Sequence, residues 1–132
     1  MIKKFDHVGL VVKDTNETMT LLSNLFGFEM IESRTEPAAG FKSTLVSNSG
    51  VTFELIEPVG PQGMIQKFVE KRGGGLHHVS IQVADLESEM KRLKALGVHF
   101  SSEEPALVDD TKVVFIHPRS MNGLLIELIE RK

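Results

Sequence analysis

The sequence predicts an α+β fold made of two tandem βαβββ modules, and three observations support this prediction. The chain contains an internal repeat, because "DHVGLVVKD" at residues 6–14 matches "HHVSIQVAD" at residues 77–85. Each copy opens with an alternating run of residues, a pattern typical of a half-buried strand. Each copy then continues with apolar residues three and four positions apart, which is typical of an amphipathic helix.

The helix of each module is predicted from this spacing and from the residues at its ends. Asp14 and Asp85 are suited to cap the helix starts, and Gly27 and Gly97 are suited to end the helices. The apolar residues at helical spacing are Met19, Leu22, Leu25 and Phe26 in module one and Leu86, Met90, Leu93 and Leu96 in module two.

The second halves of the modules also repeat. "GVTFELIEP" at residues 50–58 matches "GLLIELIER" at residues 123–131, and this pairing closes each module with a strand. We therefore expect one domain over residues 1–132, with module one at about 5–58 and module two at about 76–131. Residues 62–75 between them predict a connector helix that ends in a glycine run.

Length and composition exclude several classes of protein. A chain of 132 residues with 41% hydrophobic content can bury one core, and the lack of cysteine excludes disulfides and cysteine-based metal sites. The first residues lack the apolar segment of a signal peptide, and no run of about 18 apolar residues could span a bilayer. We expect a soluble, cytoplasmic protein with no membrane partner.

The charge distribution argues against nucleic acid as a partner. The net charge is −3, both signs are interspersed, and all eight aromatic residues are Phe. The sequence therefore offers neither a basic patch for phosphates nor a set of stacking residues for bases.

Four polar residues share a face with each other by strand parity. In the opening strands His7 and His78 lie opposite the apolar set, and in the closing strands Glu54 and Glu127 interrupt apolar runs. A solvated sheet face would account for each of them singly, but the repeat relates them in pairs. Two imidazoles and two carboxylates suit a divalent zinc, cobalt, nickel, manganese or iron ion, whose identity stays open. We expect this face to be turned away from the helices.

These features together resemble the vicinal oxygen chelate, or glyoxalase-like, superfamily, and within it the methylmalonyl-CoA epimerases. The more specific phrases are "IQKFVEKRGGGLHH" at residues 65–78 and "FIHPRS" at residues 115–120. The resemblance implies a cupped mixed sheet around one metal, with His7, Glu54, His78 and Glu127 as ligands. It also implies a homodimer that epimerises methylmalonyl-CoA or a similar 2-methyl-3-oxo-acyl thioester through a metal-stabilised enolate.

The resemblance also suggests which residues contact substrate or transfer protons. His117, Arg119 and Ser120 fall where the acyl carrier is expected to lie. Some members of the family place a glutamate where this chain has Ser43, which is a poor base, so Ser43 is predicted only to contact substrate. Either ligand carboxylate, Glu54 or Glu127, could detach in part and serve as a base, and the owner of the second proton-transfer role stays open.

Two other functions stay open at this level. The His-Glu-His-Glu set also suits a glyoxalase I-like isomerase of a glutathione hemithioacetal, with Arg34 available for a glutathione carboxylate. A module that binds a small molecule without chemistry is the second alternative. His77, beside His78, has the parity of the apolar residues and is expected to pack rather than to bind metal.

Overall fold

The computed structural model describes all residues from Met1 to Lys132. The predicted order of strand, helix and three strands occurs twice, with one further helix between the copies, so the predicted fold class is confirmed. The elements are β1 (Ile2–Val11), α1 (Thr15–Phe26), β2 (Glu29–Glu36), β3 (Phe41–Asn48), β4 (Val51–Pro58), α2 (Met64–Arg72), β5 (Gly75–Val83), α3 (Leu86–Ala95), β6 (Ala106–Val108), β7 (Thr111–Ile116) and β8 (Ile126–Glu130).

The chain divides into two compact units, one of residues 7–77 and one of residues 1–6 with 78–132. In the first unit the strand order is β2-β3-β4-β1, and in the second it is β5-β8-β7-β6. The pairs β1 with β4 and β5 with β8 are parallel, and the other pairs within these orders are antiparallel. The first six residues thus group with the second half of the chain, whereas the sequence suggested a first module from about residue 5.

The unit of residues 7–77 has a helix on each face of its strands. On one face α1 packs Met19 and Leu22 against Leu55. On the other face α2 packs Ile65 against Val11 and Ile56.

The second of these clusters corrects the expectation that the His7 and Glu54 face is turned away from the helices. Val11 has the same strand parity as His7, so α2 covers the far end of that face. The connector between the modules is therefore part of the core of this unit.

The second unit has its core between α3 and the strands. Leu86 and Met90 of α3 pack with Val83, Val114 and Leu128. Strand parity places Val83 and Leu128 opposite His78 and Glu127, as the alternation predicted.

Three residues predicted on the buried face of a helix are exposed instead. Leu25 and Phe26 lie in the last turn of α1, and Leu96 is the residue that caps the end of α3. Helical spacing predicts the direction of a side chain but not how far along the helix the neighbouring strands extend, which explains the difference. None of the three helices is long and apolar enough to cross a membrane.

Both predicted N-caps are confirmed. The carboxylate of Asp14 accepts from the backbone N–H of Glu17 at 2.9 Å, and that of Asp85 accepts from Ser88 at 3.0 Å. The hydrogen bond from Ser88 lowers the pKa of Asp85 below its usual value. Gly27, in the left-handed region at φ 74°, ends α1 as expected.

Each of these helices also has a second acceptor that the sequence did not predict. Glu57 of β4 accepts from the N–H of Thr15, and Glu130 of β8 accepts from the N–H of Leu86, both at 2.7 Å. A carboxylate near the positive end of a helix dipole is stabilising. The second glutamate of "ELIE" in each module therefore anchors the helix of that module to its closing strand.

We expect Glu57→Ala and Glu130→Ala each to lower the free energy of unfolding by about 1 kcal/mol, because each removes an acceptor from a helix N-terminus. Urea denaturation at neutral pH measures the change. Glu103→Ala, in an exposed loop, is the matched control. An effect no larger than that of the control would show that these carboxylates do not stabilise the helices.

Candidate metal centre

The unit of residues 7–77 contains the first histidine and glutamate pair. His7 lies on β1 and is buried, and Glu54 lies on the adjacent parallel strand β4, where its Cα is in register with Gly9. The distance from His7 Nε2 to Glu54 Oε1 is 3.4 Å. The register of the parallel strands thus brings an imidazole and a carboxylate onto one face.

Ser43 determines the position of the second oxygen of this carboxylate. Its Oγ donates a hydrogen bond to Glu54 Oε2 at 2.7 Å, and Ser43 is buried. Ser43 comes from β3, which pairs with β4 on the side away from β1. One oxygen of Glu54 therefore lies near His7 while the other is held by a hydroxyl.

The second unit contains the other pair, His78 on β5 and Glu127 on β8. Both are buried, and the Cα of Glu127 is in register with that of Ser80. Ser80 Oγ donates a hydrogen bond to Glu127 Oε1 at 2.7 Å. As in the first unit, one oxygen of the carboxylate is held by a serine.

Phe115 orients the ring of His78 and was missed by the sequence reasoning. Their ring centroids are 5.4 Å apart with an interplanar angle of 88°, an edge-to-face contact. Phe115 of β7 is in register with Glu127, so its side chain lies on the same face. The alternation in "KVVFI" could have predicted that Phe115 lies on the face of His78, because its parity is opposite to that of the core residue Val114.

His77 packs as predicted. Its ring lies edge-on against that of Phe68 in α2, with centroids 5.3 Å apart. The guanidinium of Arg72 also contacts Phe68 and lies 5.3 Å from the centroid of its ring. The two adjacent histidines of "LHHV" thus have different surroundings, an aromatic one for His77 and a polar strand face for His78.

The predicted substrate residues after β7 form a turn. His117 precedes the 3-10 turn Pro118–Ser120, and its Nδ1 accepts from the N–H of Arg119 at 3.1 Å. Ser120 Oγ accepts from the N–H of His99 at 2.9 Å. His117 and Arg119 are exposed, so their side chains are accessible to a ligand, and their contact with substrate stays a prediction.

Arg34, considered above for a glutathione carboxylate, has acidic neighbours on its own strand. Its guanidinium lies 3.3 Å from Glu36 and 4.0 Å from Glu32. These carboxylates compete with an incoming anion for the charge of Arg34.

Gln82 is a further polar residue on the face of His78 and Ser80. It is buried, and its Oε1 has no hydrogen-bond partner. The repeat places Val11, a core residue, at the equivalent position of the first module. Comparison of the two copies could have identified Gln82 as unusual, because a carboxamide there replaces the apolar side chain of Val11 at a buried position.

The donor chemistry of the two pairs fits a divalent transition metal. His7 and Glu54 in one unit, and His78 and Glu127 in the other, each offer an imidazole nitrogen or a carboxylate oxygen. Imidazole nitrogens and carboxylate oxygens suit zinc and its neighbours. Buried carboxylates carry a desolvation cost that a bound cation offsets.

The chain combines a repeated βαβββ module with a histidine and a glutamate on neighbouring parallel strands of each unit. Residues 6–115 match the sequence model of the Glyoxalase/Bleomycin resistance protein/Dioxygenase superfamily, and the chain belongs to this superfamily. The membership expected from the sequence is confirmed.

Several similar proteins carry names that are narrower than the superfamily. The chain is 34% identical to the mitochondrial methylmalonyl-CoA epimerase of Dictyostelium discoideum, over 98% of this chain and 80% of the relative. It is 33% identical to the ethylmalonyl-CoA/methylmalonyl-CoA epimerase of Cereibacter sphaeroides, over 97% and 98% of the two chains. The crystal structure of methylmalonyl-CoA epimerase from Mycobacterium tuberculosis superimposes with a TM-score of 0.93 and 28% identity, over 99% and 89%.

We expect Gln82→Met to raise the free energy of unfolding of the ligand-free protein by about 1 kcal/mol, because it removes a buried acceptor that has no partner. Thermal denaturation measures the change. Gln62→Met, at an exposed loop position, should change stability by less than about 0.5 kcal/mol. A destabilised Gln82→Met protein would contradict the conclusion that Gln82 Oε1 has no hydrogen-bond partner.

Proposed function

We propose that this protein is a metal-dependent epimerase of methylmalonyl-CoA or a similar 2-methyl-3-oxo-acyl thioester. The observation that supports this most is the full-length similarity to proteins named for that activity, including one matched over 98% of its own length. The two histidine and glutamate pairs supply the chemistry that the reaction needs.

His7, Glu54, His78 and Glu127 are the residues that would hold the metal. In each unit the histidine and the glutamate come from parallel neighbouring strands, which gives the two pairs the same origin in the fold. A divalent cation, when bound, supplies positive charge that lowers the energy of an enolate derived from the thioester. Its identity among zinc, cobalt, nickel, manganese and iron is not fixed by this donor set.

Inversion at the α-carbon needs a group that accepts the proton on one side and a group that returns it on the other. Glu54 and Glu127 are proposed for these roles, because Ser43 is bonded to Glu54 and is itself a poor base. To act in this way, each glutamate would detach in part from the metal. One would accept the α-proton and become a carboxylic acid, and the other, protonated beforehand, would deliver its proton to the opposite face of the enolate. In one inversion the protein gains one proton and gives up one proton, so its total number of bound protons is unchanged.

The positions of the turn residues support a substrate role for the segment after β7. His117, Arg119 and Ser120 are proposed to contact the acyl thioester. Arg119 is exposed and cationic, which suits a carboxylate or phosphate. Ser43 is proposed to act through Glu54 as well as to lie close to the substrate.

The glyoxalase I-like alternative has one specific observation in its favour, the His-Glu-His-Glu set. Against it, Arg34 lies between two glutamates of β2, which reduces its capacity for a glutathione carboxylate. The named activities of the full-length relatives also favour the epimerase. A cytoplasmic location and a homodimer belong to the same proposal as properties still to be measured.

The direct test is exchange of the α-proton of methylmalonyl-CoA with deuterium from solvent, followed by mass spectrometry. Protein loaded with Co²⁺ should catalyse exchange, and protein treated with a chelator should not. His78→Ala should lower the rate by more than about 100-fold, the upper end of what a lost outer-shell partner costs. His99→Ala removes an exposed histidine outside the site and should leave the rate within about twofold.

Two results would contradict the proposal. Exchange at the background rate in the metal-loaded wild-type protein would exclude the epimerase. Formation of S-lactoylglutathione from methylglyoxal and glutathione, without exchange on methylmalonyl-CoA, would favour the glyoxalase I-like isomerase.

A further inference from the structure

We propose that Ser43 and Ser80 are positioning residues that each hold one oxygen of a ligand carboxylate, so that Glu54 and Glu127 each present a single oxygen to the metal. This inference rests on the metal-dependent function proposed above. It assigns to Ser43 a role in preparing the site for a substrate that binds through two oxygens.

Both hydrogen bonds that support this inference are short; the one from Ser80 is buried and the one from Ser43 is partly buried. Both serine hydroxyls donate to a carboxylate at 2.7 Å, which is typical of a good O–H···O bond. Ser43 is 2% exposed and Ser80 is fully buried. A buried hydroxyl bonded to a carboxylate has little freedom to turn toward another partner, so each bond fixes the orientation of its carboxylate.

The two units meet the same need from different strands. At the position in register with the glutamate, the opening strand carries Gly9 in the first unit and Ser80 in the second. The first unit takes its serine from β3 instead, where Ser43 is in register with Ile56.

The position equivalent to Ser43 in the second unit carries no hydroxyl. Val113 of β7 is in register with Ile129, which the repeat matches to Ile56. Each carboxylate therefore has one serine donor at these positions. In the first unit β3 supplies the serine and β1 has a glycine, whereas in the second unit β5 supplies the serine and β7 has a valine. Two copies that differ in the source of the hydroxyl but agree in its presence indicate that the hydroxyl is needed.

A count of ligand atoms explains the need. Octahedral coordination offers ~6 positions to ligand atoms. Two imidazoles and two monodentate carboxylates would fill ~4 of these positions. If both carboxylates became bidentate, all of these positions would be filled by the protein. A serine bond to one oxygen disfavours the bidentate mode and keeps positions open for a substrate carbonyl and carboxylate.

The test uses oxalate, a small chelator with two oxygens, as the probe of open positions. Wild-type, Ser43→Ala and Ser80→Ala proteins are loaded with Co²⁺, and oxalate binding is followed by visible absorption. In the serine variants we expect oxalate to bind about 10- to 100-fold more weakly, the usual effect of losing an outer-shell partner. The absorption spectrum without oxalate should also change, because a released oxygen alters the coordination of the metal.

Thr44→Val is the matched control. Thr44 neighbours Ser43 on β3, is buried, and shares a hydrogen bond of 2.9 Å with Ser33 on the opposite face. Its loss removes a buried hydroxyl bond without touching either carboxylate. A merely structural role for serine predicts the same behaviour in all three variants, with lower melting temperatures and an unchanged spectrum and oxalate affinity.

A double-mutant cycle separates the action of Ser80 on Glu127 from a general effect. In the Glu127→Ala background, Ser80→Ala should change the Co²⁺ spectrum no further. If one serine variant does not fold, the other decides, because the proposal applies to both carboxylates.

The outcomes are distinguishable from failure of the proposed function. Unchanged spectra and oxalate affinities in folded serine variants would overturn this inference while leaving the metal site intact. Co²⁺ binding without oxalate binding in the wild-type protein would also overturn it, since no open positions would exist. A wild-type protein that binds no Co²⁺ would overturn both the metal-dependent function and this inference.

Discussion

The burial of Glu127 and the partial burial of Glu54 on their strand faces are the constraint on which the rest of the site depends. Glu54 and Glu127 each lie within an apolar run of a closing strand, where an uncompensated charge costs several kcal/mol. A serine hydroxyl compensates part of that cost in each unit. The cation proposed above would compensate the remainder.

The repeat places equivalent residues at the same strand positions in both units. In each unit a parallel pair of strands places a histidine and a glutamate on one face. The core of the second unit lies on the opposite face, whereas the first unit has a core cluster on each face. The third residue after Glu54, and likewise after Glu127, has the opposite parity and caps the helix of the same module. One short phrase, "ELIE", therefore supplies both a site residue and a structural anchor.

The elements with strong periodicity could be predicted from the sequence, and so could the N-caps Asp14 and Asp85. Parity correctly separated the core face of β5 and β8 from the face of His78 and Glu127, but on β1 and β4 the face of His7 and Glu54 also carries core residues. It could not predict that α2 packs against Val11 and Ile56, because packing between distant segments leaves no local period. The serine partners were also missed, since Ser43 reaches Glu54 through the register of two strands, which the sequence alone does not specify.

The central proposal is that His7, Glu54, His78 and Glu127 bind one metal ion. Equilibrium dialysis against Co²⁺, with the metal measured by elemental analysis, tests it most directly. The account predicts one tightly bound ion per chain, and loss of that ion in both His7→Ala and His78→Ala. Two ions per chain, or one ion retained when either histidine is replaced, would contradict a shared site.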